Sequence, residues 1–514
     1  MHGILKAKIN DVLQKLGFPE VDFSVEYPSD FSHGDYATNV ALVLAKQVGT
    51  NPREVAEKIK IALEEQKIPD VEKIEVAGAG FTNFFLTADY FHQNLKKILE
   101  EKDAYGKNAT FKEGNIMVEY TDPNPFKEFH IGHLMPNVIG ESLTRLYEFA
   151  GAKVIRANYQ GDVGLHVAKA IWGKMRQPDN SWGVAYALGA EFYENDQVAK
   201  GEIEALNKVI YDRTDENINK LYDEGREESL ARFEQIYKVL GTKFDVYYFE
   251  SEVGKDGLEI VRSHPDIFFK SDGAVVFHGE KYDPTLHTRV FVNKAGLPTY
   301  EAKELGLNLK KFRDYKLDYS LVVTANEIND YFRVLLQALL LLDKNVAEKT
   351  EHLGHGIMRL PSGKMSSRTG DVITGESLIN DVEELARKKM ETSTHLSADE
   401  QQIVATDIAV GAIKYSILKQ AIGKDIIFDF EKSLSFEGDS GPYLQYTYAR
   451  TQSLLAKAHE ANLEVKPPSE GDVGELEKWL ERFSVEVKHS LTDYAPQRIA
   501  TYLIELASKF NAYY

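Results

Sequence analysis

Residues 115–159 read NIMVEYTDPNPFKEFHIGHLMPNVIGESLTRLYEFAGAKVIRANY, and this stretch decides the fold. The runs NIMVEY and KVIRANY have the length and composition of strands in a sheet. Between them, apolar residues recur at helical spacing from about Gly132 to Ala150, with Pro136 in the first turn and Gly151 just past the end. A strand, a helix and a second strand in this order predict a βαβ unit and a parallel sheet.

Three domains are predicted around this unit. Residues 1–110 mix strand patterns with helical ones, including helices at Ala37–Lys46 and Pro52–Gln66, and favour an α+β domain. Residues 111–377 hold the βαβ unit, a charged and mostly helical insertion at about 172–272, and further strand patterns such as YSLVVTAN. Residues 378–514 are helical almost throughout. The predicted fold class is therefore α/β, with a Rossmann-like parallel-sheet core, a helical insertion, an N-terminal α+β domain and a C-terminal all-helical domain.

The composition excludes several classes of protein. The 514 residues include no cysteine, which rules out disulfides, thiolate metal sites and a cysteine nucleophile, and indicates a cytoplasmic protein. Lysines and an aspartate interrupt the apolar residues of the N-terminus, unlike a signal peptide. The apolar run Val334–Leu342 is too short to cross a bilayer, so no membrane contact is expected. The formal net charge of -19 would ordinarily argue against a nucleic-acid partner.

The motif His130-Ile131-Gly132-His133 stands where the helix of the βαβ unit begins. A helix N-terminus offers unpaired N–H groups and a positive dipole end, and Gly132 permits close approach of a phosphate ligand. The two imidazoles can donate hydrogen bonds to phosphate oxygens as charge develops in a transition state. The alternative is a pair of histidines that merely cap a helix, but the strand-loop-helix context favours function.

A second motif, Gly363-Lys364-Met365-Ser366-Ser367-Arg368, follows the last strand pattern of the second half. Lys364 and Arg368 on a Gly/Ser-rich loop could reach the β- and γ-phosphates of a nucleotide. Alone the motif is weak, because lysine and serine in loops are usually just solvated.

Together, the two motifs resemble the signatures of class I aminoacyl-tRNA synthetases. The flanking residues resemble the arginyl-tRNA synthetase family, from HGDYATNVALVLAK and GAGFTNFFL near the N-terminus to VEYTDPNPFKEFHIGHL, GKMSSRTGDV and GPYLQYTYAR further on. The resemblance covers the chain end to end, although the insertion contributes little to it. It implies arginine–tRNA ligase activity, in which arginine is activated with ATP and Mg²⁺ and transferred to the 2′-OH of the terminal adenosine of tRNA(Arg).

The resemblance also implies which residues bind arginine. A guanidinium needs bidentate anionic partners in a water-poor pocket. Glu304 stands where the family usually has aspartate, so the charge is kept with a longer reach, and Glu327 stands near the expected position of a glutamine. Taken singly, each carboxylate could be a solvated surface group. The predicted arginine-binding residues are Glu119, Asn124, His130, Tyr300, Glu304 and Glu327.

For ATP, the resemblance implies binding by His130, Gly132, His133, Lys364, Met365 and Ser366, with Lys127, His130, His133, Lys364 and Arg368 as catalytic residues. The class I motif has a second lysine where this chain has Ser367. Lys127, three residues before His130, is expected to substitute for it, unless it is an ordinary solvated lysine. Arg368 could share that role. No cage of metal ligands is visible in the sequence, so magnesium is expected to arrive with ATP.

Candidates for tRNA contact lie at both ends of the chain. Tyr446, Tyr448 and Arg450 could stack on anticodon bases, although aromatic residues on helices are more often core. Asn83 and Phe85 are candidates near the N-terminus. Because binding depends on local basic residues, an acidic chain can still hold tRNA through a confined basic face, in a salt-sensitive manner.

Two alternatives remain open. The chain could be a catalytically impaired RNA-binding relative, or another nucleotidyl-transferring member of the same superfamily, although the helical C-terminal region disfavours the latter. A monomer is expected from the resemblance. The family's C-terminal domain normally continues beyond YLIELASKFNAYY, so we also expect that the chain is truncated or that its final helices are supplied otherwise, with lower stability and weaker anticodon binding if truncated.

Overall fold

The computed structural model describes residues 1–361, 373–390, 396–467 and 470–514. It divides into two units, each described by itself. The first unit joins Met1–Gly106 with Thr451–Glu486 and Glu505–Tyr514. The second unit joins Lys107–Arg450 with Val487–Ile504. No helix within the described ranges is both long and apolar enough to cross a membrane.

The N-terminal part of the first unit is an antiparallel sheet packed against helices. Its strands lie in the order β1-β2-β4-β3, and its core includes Leu5, Ile59 and Phe84. The elements are α1 (His2–Lys15), β1 (Val25–Glu26), β2 (Tyr36–Thr38), α2 (Val40–Val48), α3 (Pro52–Glu65), β3 (Val71–Ala77), β4 (Phe81–Leu86) and α4 (Ala88–Glu101). This arrangement is the predicted α+β fold.

The predicted helix at Ala37–Lys46 begins too early. Tyr36–Thr38 pairs with β4, and the helix begins at Val40. The side-chain hydroxyl of Thr38 accepts a hydrogen bond from the Val40 N–H, so the chain turns between strand and helix here.

The second unit begins with the βαβ stretch. Its elements up to the last strand before the helical C-terminal region are β5 (Asn115–Tyr120), α5 (Ile131–Phe149), β6 (Lys153–Gln160), α6 (Leu165–Arg176), α7 (Trp182–Asn195), α8 (Gln197–Asp212), α9 (Glu216–Leu240), β7 (Val246–Phe249), α10 (Glu250–Ser263), β8 (Phe269–Ser271), β9 (Ala274–His278), β10 (Thr288–Val292), α11 (Tyr300–Asp314), β11 (Tyr319–Ala325), α12 (Asn329–Leu342), α13 (Lys344–Glu348), β12 (Thr350–His355) and β13 (Met358–Arg359).

Five of these strands form a parallel sheet in the order β12-β11-β5-β6-β7. The chain runs outward from β5 through β6 to β7 and then returns to the other side of β5 as β11. The strand order therefore reverses between β5 and β11, which is the switch point where open α/β sheets bind ligands at their carboxyl ends. Separately, β8, β9 and β10 form an antiparallel sheet.

The predicted insertion at about 172–272 contains a strand of the main sheet. Helix α9 ends at Leu240, and Val246–Phe249 pairs in parallel with β6. The strand pattern in the sequence is weak here, because the strand has only four residues and follows a long charged helix.

The described residues after β13 are mostly helical, as predicted. The elements are α14 (Gly375–Met390), α15 (Ala398–Leu418), β14 (Ile426–Ile427), α16 (Phe430–Ser433), α17 (Gly441–Glu460), α18 (Glu475–Glu481), α19 (Phe483–Thr492) and α20 (Gln497–Tyr513). The short strand β14 pairs with β13.

Candidate active site

The first turn of α5 lies directly after the loop that leaves β5, beside the switch point. Gly140 allows α5 to pack closely on β5, because a Cβ there would lie 2.3 Å from the ring of Tyr120. The helix N-terminus is thereby held at the carboxyl edge of the sheet, where its dipole favours an anion.

His130 and His133 form a stacked pair at this helix N-terminus. Their ring centroids are 3.7 Å apart, and the His130 N–H donates to His133 Nδ1 at 3.3 Å. Since Nδ1 of His133 accepts, its ring proton lies on Nε2. A Cβ on Gly132 would lie 2.8 Å from His130 Nδ1, so the glycine also makes room for the imidazole.

The two histidines are neutral near pH 7. Burial, followed by the charge of Lys127, lowers the pKa of His130. Burial, His130 and Lys127 together hold the pKa of His133 well below its ordinary value. A neutral imidazole with its proton on Nε2 can donate to a phosphate oxygen without first losing or gaining a proton.

Lys127 lies close to the histidine pair and faces the helical insertion. Its Nζ is 4.7 Å from the ring centroid of Tyr186, within range of a cation–π contact. Burial lowers the pKa of Lys127, while the charge of Glu250 opposes that shift. Lys127 is therefore a desolvated cation near the predicted phosphate site and not a solvated loop lysine.

The segment that follows the second motif pairs with the histidine motif. The Ile131 N–H donates to the Ile373 carbonyl at 3.2 Å, and the Gly375 N–H donates to the Phe129 carbonyl at 2.6 Å. The predicted ATP-binding and catalytic residues Lys364, Met365, Ser366 and Arg368, as well as Ser367, lie outside the described residues.

A cluster of carboxylates lies near the histidine motif, since the charge of one of them, Glu250, acts on Lys127. Helices α10 and α11 pack with their backbones close together, because a Cβ on Gly257 would lie 1.8 Å from the Ala302 carbonyl oxygen. This packing brings Glu250, at the start of α10, against α11, where Glu304 is buried. Glu119, at the end of β5, and Asp122, in the loop beyond it, complete the cluster.

Burial raises the pKa of each of three carboxyls. For Glu304, burial and then the charge of Glu119 raise the pKa to about 8. The pKa of Asp122 is raised well above its ordinary value by burial and by Glu119. Burial also raises the pKa of Glu250, although Lys303 opposes the shift.

Two buried lysines balance part of this negative charge. Lys303 Nζ lies 2.6 Å from Glu250 Oε2, and Lys311 Nζ lies 2.5 Å from Glu119 Oε2. Lys311 is fully buried and Glu119 is 1% exposed. The resemblance implies that Glu119 binds arginine, and the structure pairs Glu119 with Lys311. With four carboxyls and two lysines, the cluster retains excess negative charge when its acids are ionised.

Several buried polar atoms beside this cluster lack a hydrogen-bond partner among the described residues. They include the hydroxyl of Tyr159 and Oδ1 of Asn308. Unpaired buried polar groups are costly, and at a site they indicate where a ligand completes the bonding. A Cβ on Gly161 would lie 2.4 Å from Asn124 Oδ1 and 3.5 Å from Glu250 Oε1, which places the Asn124 amide at the same cluster.

Tyr300 and Glu327 occupy the rim of this region. Tyr300 begins α11 and is 61% exposed, and its carbonyl accepts a hydrogen bond from Tyr331 at 3.1 Å. Glu327 is exposed on a short turn directly after β11. Both residues belong to the exposed surface around the cluster and not to its buried part.

The predicted tRNA-contact residues differ in accessibility. On α17, Tyr446 is 48% and Tyr448 is 66% exposed, and Arg450 is half-buried. On β4, Phe85 is half-buried under Lys73, whereas Asn83 is only 4% exposed because β4 lies between β2 and β3. The structure therefore leaves the Asn83 side chain little surface for RNA.

Four residues of the cluster are not predicted from the sequence: Asp122, Glu250, Lys303 and Lys311. Glu250 directly follows a strand, but that strand, β7, lies within the predicted helical insertion. Lys311 lies two helical turns after Glu304 and therefore on the same helix face, and this spacing is the signal that points to it. Asp122 lies between Glu119 and Asn124, but a loop aspartate is usually solvated.

Three family models match the chain. The model described as "tRNA synthetases class I (R), catalytic domain" matches residues 94–430. The "Arginyl tRNA synthetase N terminal domain" matches residues 3–86, and the "DALR anticodon binding domain" matches residues 444–514. The sheet order, the histidine motif at the switch point and the catalytic-domain match define a class I aminoacyl-tRNA synthetase.

Individual relatives agree with this class. A protein of Fusobacterium nucleatum named arginine–tRNA ligase is 32% identical over 99% of this chain and 92% of its own length. One from Limosilactobacillus reuteri is 31% identical over 99% of this chain and 91% of its own length. The solved arginyl-tRNA synthetase of Thermus thermophilus has a TM-score of 0.80 at 25% identity, covering 100% of this chain and 92% of that one. The chain belongs to the arginyl-tRNA synthetase family. This confirms the family and the fold class that the sequence predicts.

Proposed function

We propose that this chain is an arginine–tRNA ligase. It activates L-arginine with ATP to arginyl-adenylate and transfers the arginyl group to the 2′-OH of the terminal adenosine of tRNA(Arg). The observation that carries the proposal is the meeting, near one switch point, of a stacked histidine pair and a buried cluster rich in carboxyl groups. The names of the relatives support the same activity.

The carboxylate cluster suits the two positive groups of arginine. Glu250 and Glu304 are the candidates for the guanidinium, which prefers buried bidentate acceptors. Glu119, held by Lys311, and Asn124 are the candidates for the α-amino end, nearer the histidines along the loop after β5. Tyr300 and Glu327 would close the rim.

The chemistry in this site is mainly positioning and charge neutralisation. A carboxylate oxygen of arginine attacks the α-phosphorus of MgATP, the bond to the bridging oxygen breaks, and pyrophosphate leaves. The terminal 2′-OH of tRNA then attacks the carbonyl carbon of the adenylate, and AMP leaves. Neutral His130 and His133 would donate to phosphate oxygens, and Lys127 would neutralise charge as it develops. By resemblance, Gly132, Lys364, Met365, Ser366 and Arg368 would bind or neutralise the triphosphate.

The anticodon-contacting residues are proposed to lie on α17, where Tyr446, Tyr448 and Arg450 fall within the segment matched by the anticodon-binding model. Exposed tyrosines can stack on unpaired bases. Phe85 is retained as a candidate for the body of the tRNA, while Asn83 is a weaker one because of its burial. The enzyme is proposed to act as a cytoplasmic monomer.

Arginine-dependent ATP–pyrophosphate exchange, measured with and without tRNA, tests the proposal. We expect exchange with arginine and its loss in His130→Ala, while His287→Ala, an exposed histidine before β10, retains it. The absence of exchange with arginine under both conditions would contradict ligase activity and favour a catalytically impaired RNA-binding relative. Exchange with a different amino acid would contradict the specificity.

A further inference from the structure

Helix α9 of the insertion contacts the loop that carries the histidine motif. The Phe126 N–H donates to Ser229 Oγ at 2.9 Å, and Ser229 Oγ donates to the Gly225 carbonyl at 2.7 Å. A Cβ on Gly225 would lie 2.4 Å from the Phe126 ring, so this ring packs on the helix backbone. Further along, the ring of Phe233 lies 6.0 Å from that of Phe129. Gly225, Ser229 and Phe233 recur every four residues and therefore lie on one face of α9.

Arg232 lies on this part of α9 and contacts carboxylates from two other segments. Its Nη1 is 2.8 Å from Glu128 Oε2, and its Nε is 2.9 Å from Glu376 Oε2. Glu128 precedes the histidine motif, and Glu376 is in the first turn of α14. The planar guanidinium suits this bridging geometry, which a lysine ammonium would reproduce poorly.

Glu128 and Glu376 lie on either side of a short stretch of backbone pairing between the histidine motif and residues 373–375. His130 pairs with Thr374 in an antiparallel bridge, and Gly375 donates to the Phe129 carbonyl. Glu128 lies two residues before His130, and Glu376 lies two residues after Thr374. Arg232 therefore holds both sides of this pairing at the same place.

The loop needs external support because part of its backbone is strained. Thr121, Asp122 and Phe126 have φ values of 82°, 46° and 69°, in the left-handed region that non-glycine residues rarely adopt. Such residues are strained and persist where the surrounding structure holds them. The contacts of Phe126 with Ser229 and Gly225 supply part of that support.

We propose that Arg232 is a positioning residue for the activation step: through Glu128 and Glu376 it fixes the histidine motif against residues 373–375. This inference rests on the proposed function, because the motif must face ATP for its position to matter. Arg232 acts through other residues and does not touch the reacting atoms. A partly exposed ion pair contributes little to stability, so its removal should affect ATP use more than folding.

Kinetics of Arg232→Gln, Arg232→Lys and Glu376→Gln test the proposal. The control is Arg213→Gln, because Arg213 pairs with Asp223 elsewhere in the insertion, and its side chain is 43% exposed, as is that of Arg232. In arginine-dependent pyrophosphate exchange, normalised to the folded fraction, we expect Arg232→Gln to lower kcat/KM for ATP about 10–100-fold through both kcat and KM. The KM for arginine should change less than twofold. Arg232→Lys and Glu376→Gln should be intermediate, and Arg213→Gln should behave as wild type.

Amide hydrogen exchange gives a readout that does not depend on activity. The amides of Ile131 and Gly375 should exchange faster in Arg232→Gln than in the wild type or Arg213→Gln. Unchanged ATP kinetics in Arg232→Gln, an equal loss in Arg213→Gln, or unchanged exchange at these two amides would overturn the inference. A wild-type protein that activates no arginine would instead refute the proposed function, and the amide measurement would still test the contact.

Discussion

Glu304 is 6% exposed, and burial followed by the charge of Glu119 raises its pKa to about 8. A pKa raised in this way favours the protonated carboxyl near pH 7. The guanidinium contact proposed for Glu304 requires the ionised carboxylate, so arginine binding at neutral pH should release a proton. Glu304 Oε1 accepts a hydrogen bond from the Asn308 side-chain amide at 3.2 Å.

The first prediction concerns the pH dependence of arginine binding. Because binding favours ionised Glu304, the KM for arginine should fall as pH rises from about 6.5 to 8.5, by up to about tenfold per pH unit well below the pKa. In Glu304→Gln the KM should be higher and nearly independent of pH over this range. The measurement is steady-state exchange at a series of pH values. Glu259→Gln, an exposed acid on α10, is the control and should keep the wild-type slope.

The second prediction concerns the buried Lys311–Glu119 pair. Lys311→Met leaves Glu119 without its cation in the interior, so we expect a loss of about 3–5 kcal/mol in the free energy of unfolding. Urea denaturation at pH 7 measures this change. The neighbouring Lys310, which is partly exposed and paired with Asp314, gives the matched control. Lys310→Met should cost about 0–1 kcal/mol, and similar losses in both variants would contradict the role of the buried pair.

At the scale of elements, the close packing of α5 on β5 sets where the histidine pair lies. The third prediction is that Gly140→Ala is destabilising, by about 1–3 kcal/mol, because the added methyl would clash with the Tyr120 ring. Gly201, in α8, has open space at the same position, so Gly201→Ala should stabilise by about 0.5–1 kcal/mol through helix propensity. Thermal unfolding compares the two variants, and the same sign of change in both would contradict the packing argument.

At the scale of the whole molecule, residues far apart in sequence share the first unit. Glu481, at the end of α18, accepts hydrogen bonds from Tyr27, Tyr36 and Tyr90 of the N-terminal α+β stretch at 2.7–3.0 Å. Glu481 is 8% exposed and Tyr36 is 1% exposed. These bonds attach a C-terminal helix to the N-terminal sheet within that unit.

The fourth prediction follows from this tyrosine–glutamate cluster. Glu481→Ala removes the common acceptor of three hydroxyls. The hydroxyls of Tyr27 and Tyr36 keep their mutual hydrogen bond of 3.0 Å, whereas a buried hydroxyl left unpaired costs about 1–3 kcal/mol. In differential scanning calorimetry we expect the transition of the first unit to move to lower temperature, while the transition of the second unit stays in place. Glu477→Ala on the same helix is the control, with a smaller expected shift. Equal shifts of both transitions in Glu481→Ala would contradict a local role.

The sequence alone determined the βαβ unit, the helix with its histidine motif, the α/β class and the family. These features depend on periodicity and motif spacing among neighbouring residues, which the chain carries locally. The sequence also predicts Glu304 as a site residue. Its raised pKa depends on burial and on the nearby Glu119, which the sequence does not show. Strand β7 was missed because four apolar-rich residues within a charged stretch carry too short a pattern.

Only the tertiary structure decided which charges meet. Glu250, Lys303 and Lys311 join the predicted pocket because α10, α11 and β5 pack at the switch point, and the pairing of Arg232 with Glu376 spans 144 residues. Burial and charge–charge energies depend on distance in space, so residues remote in sequence set the pKa of Glu304, hold Glu119 and anchor the histidine loop. These distances cannot be read from the separation of the residues along the chain, because they exist only in the folded protein.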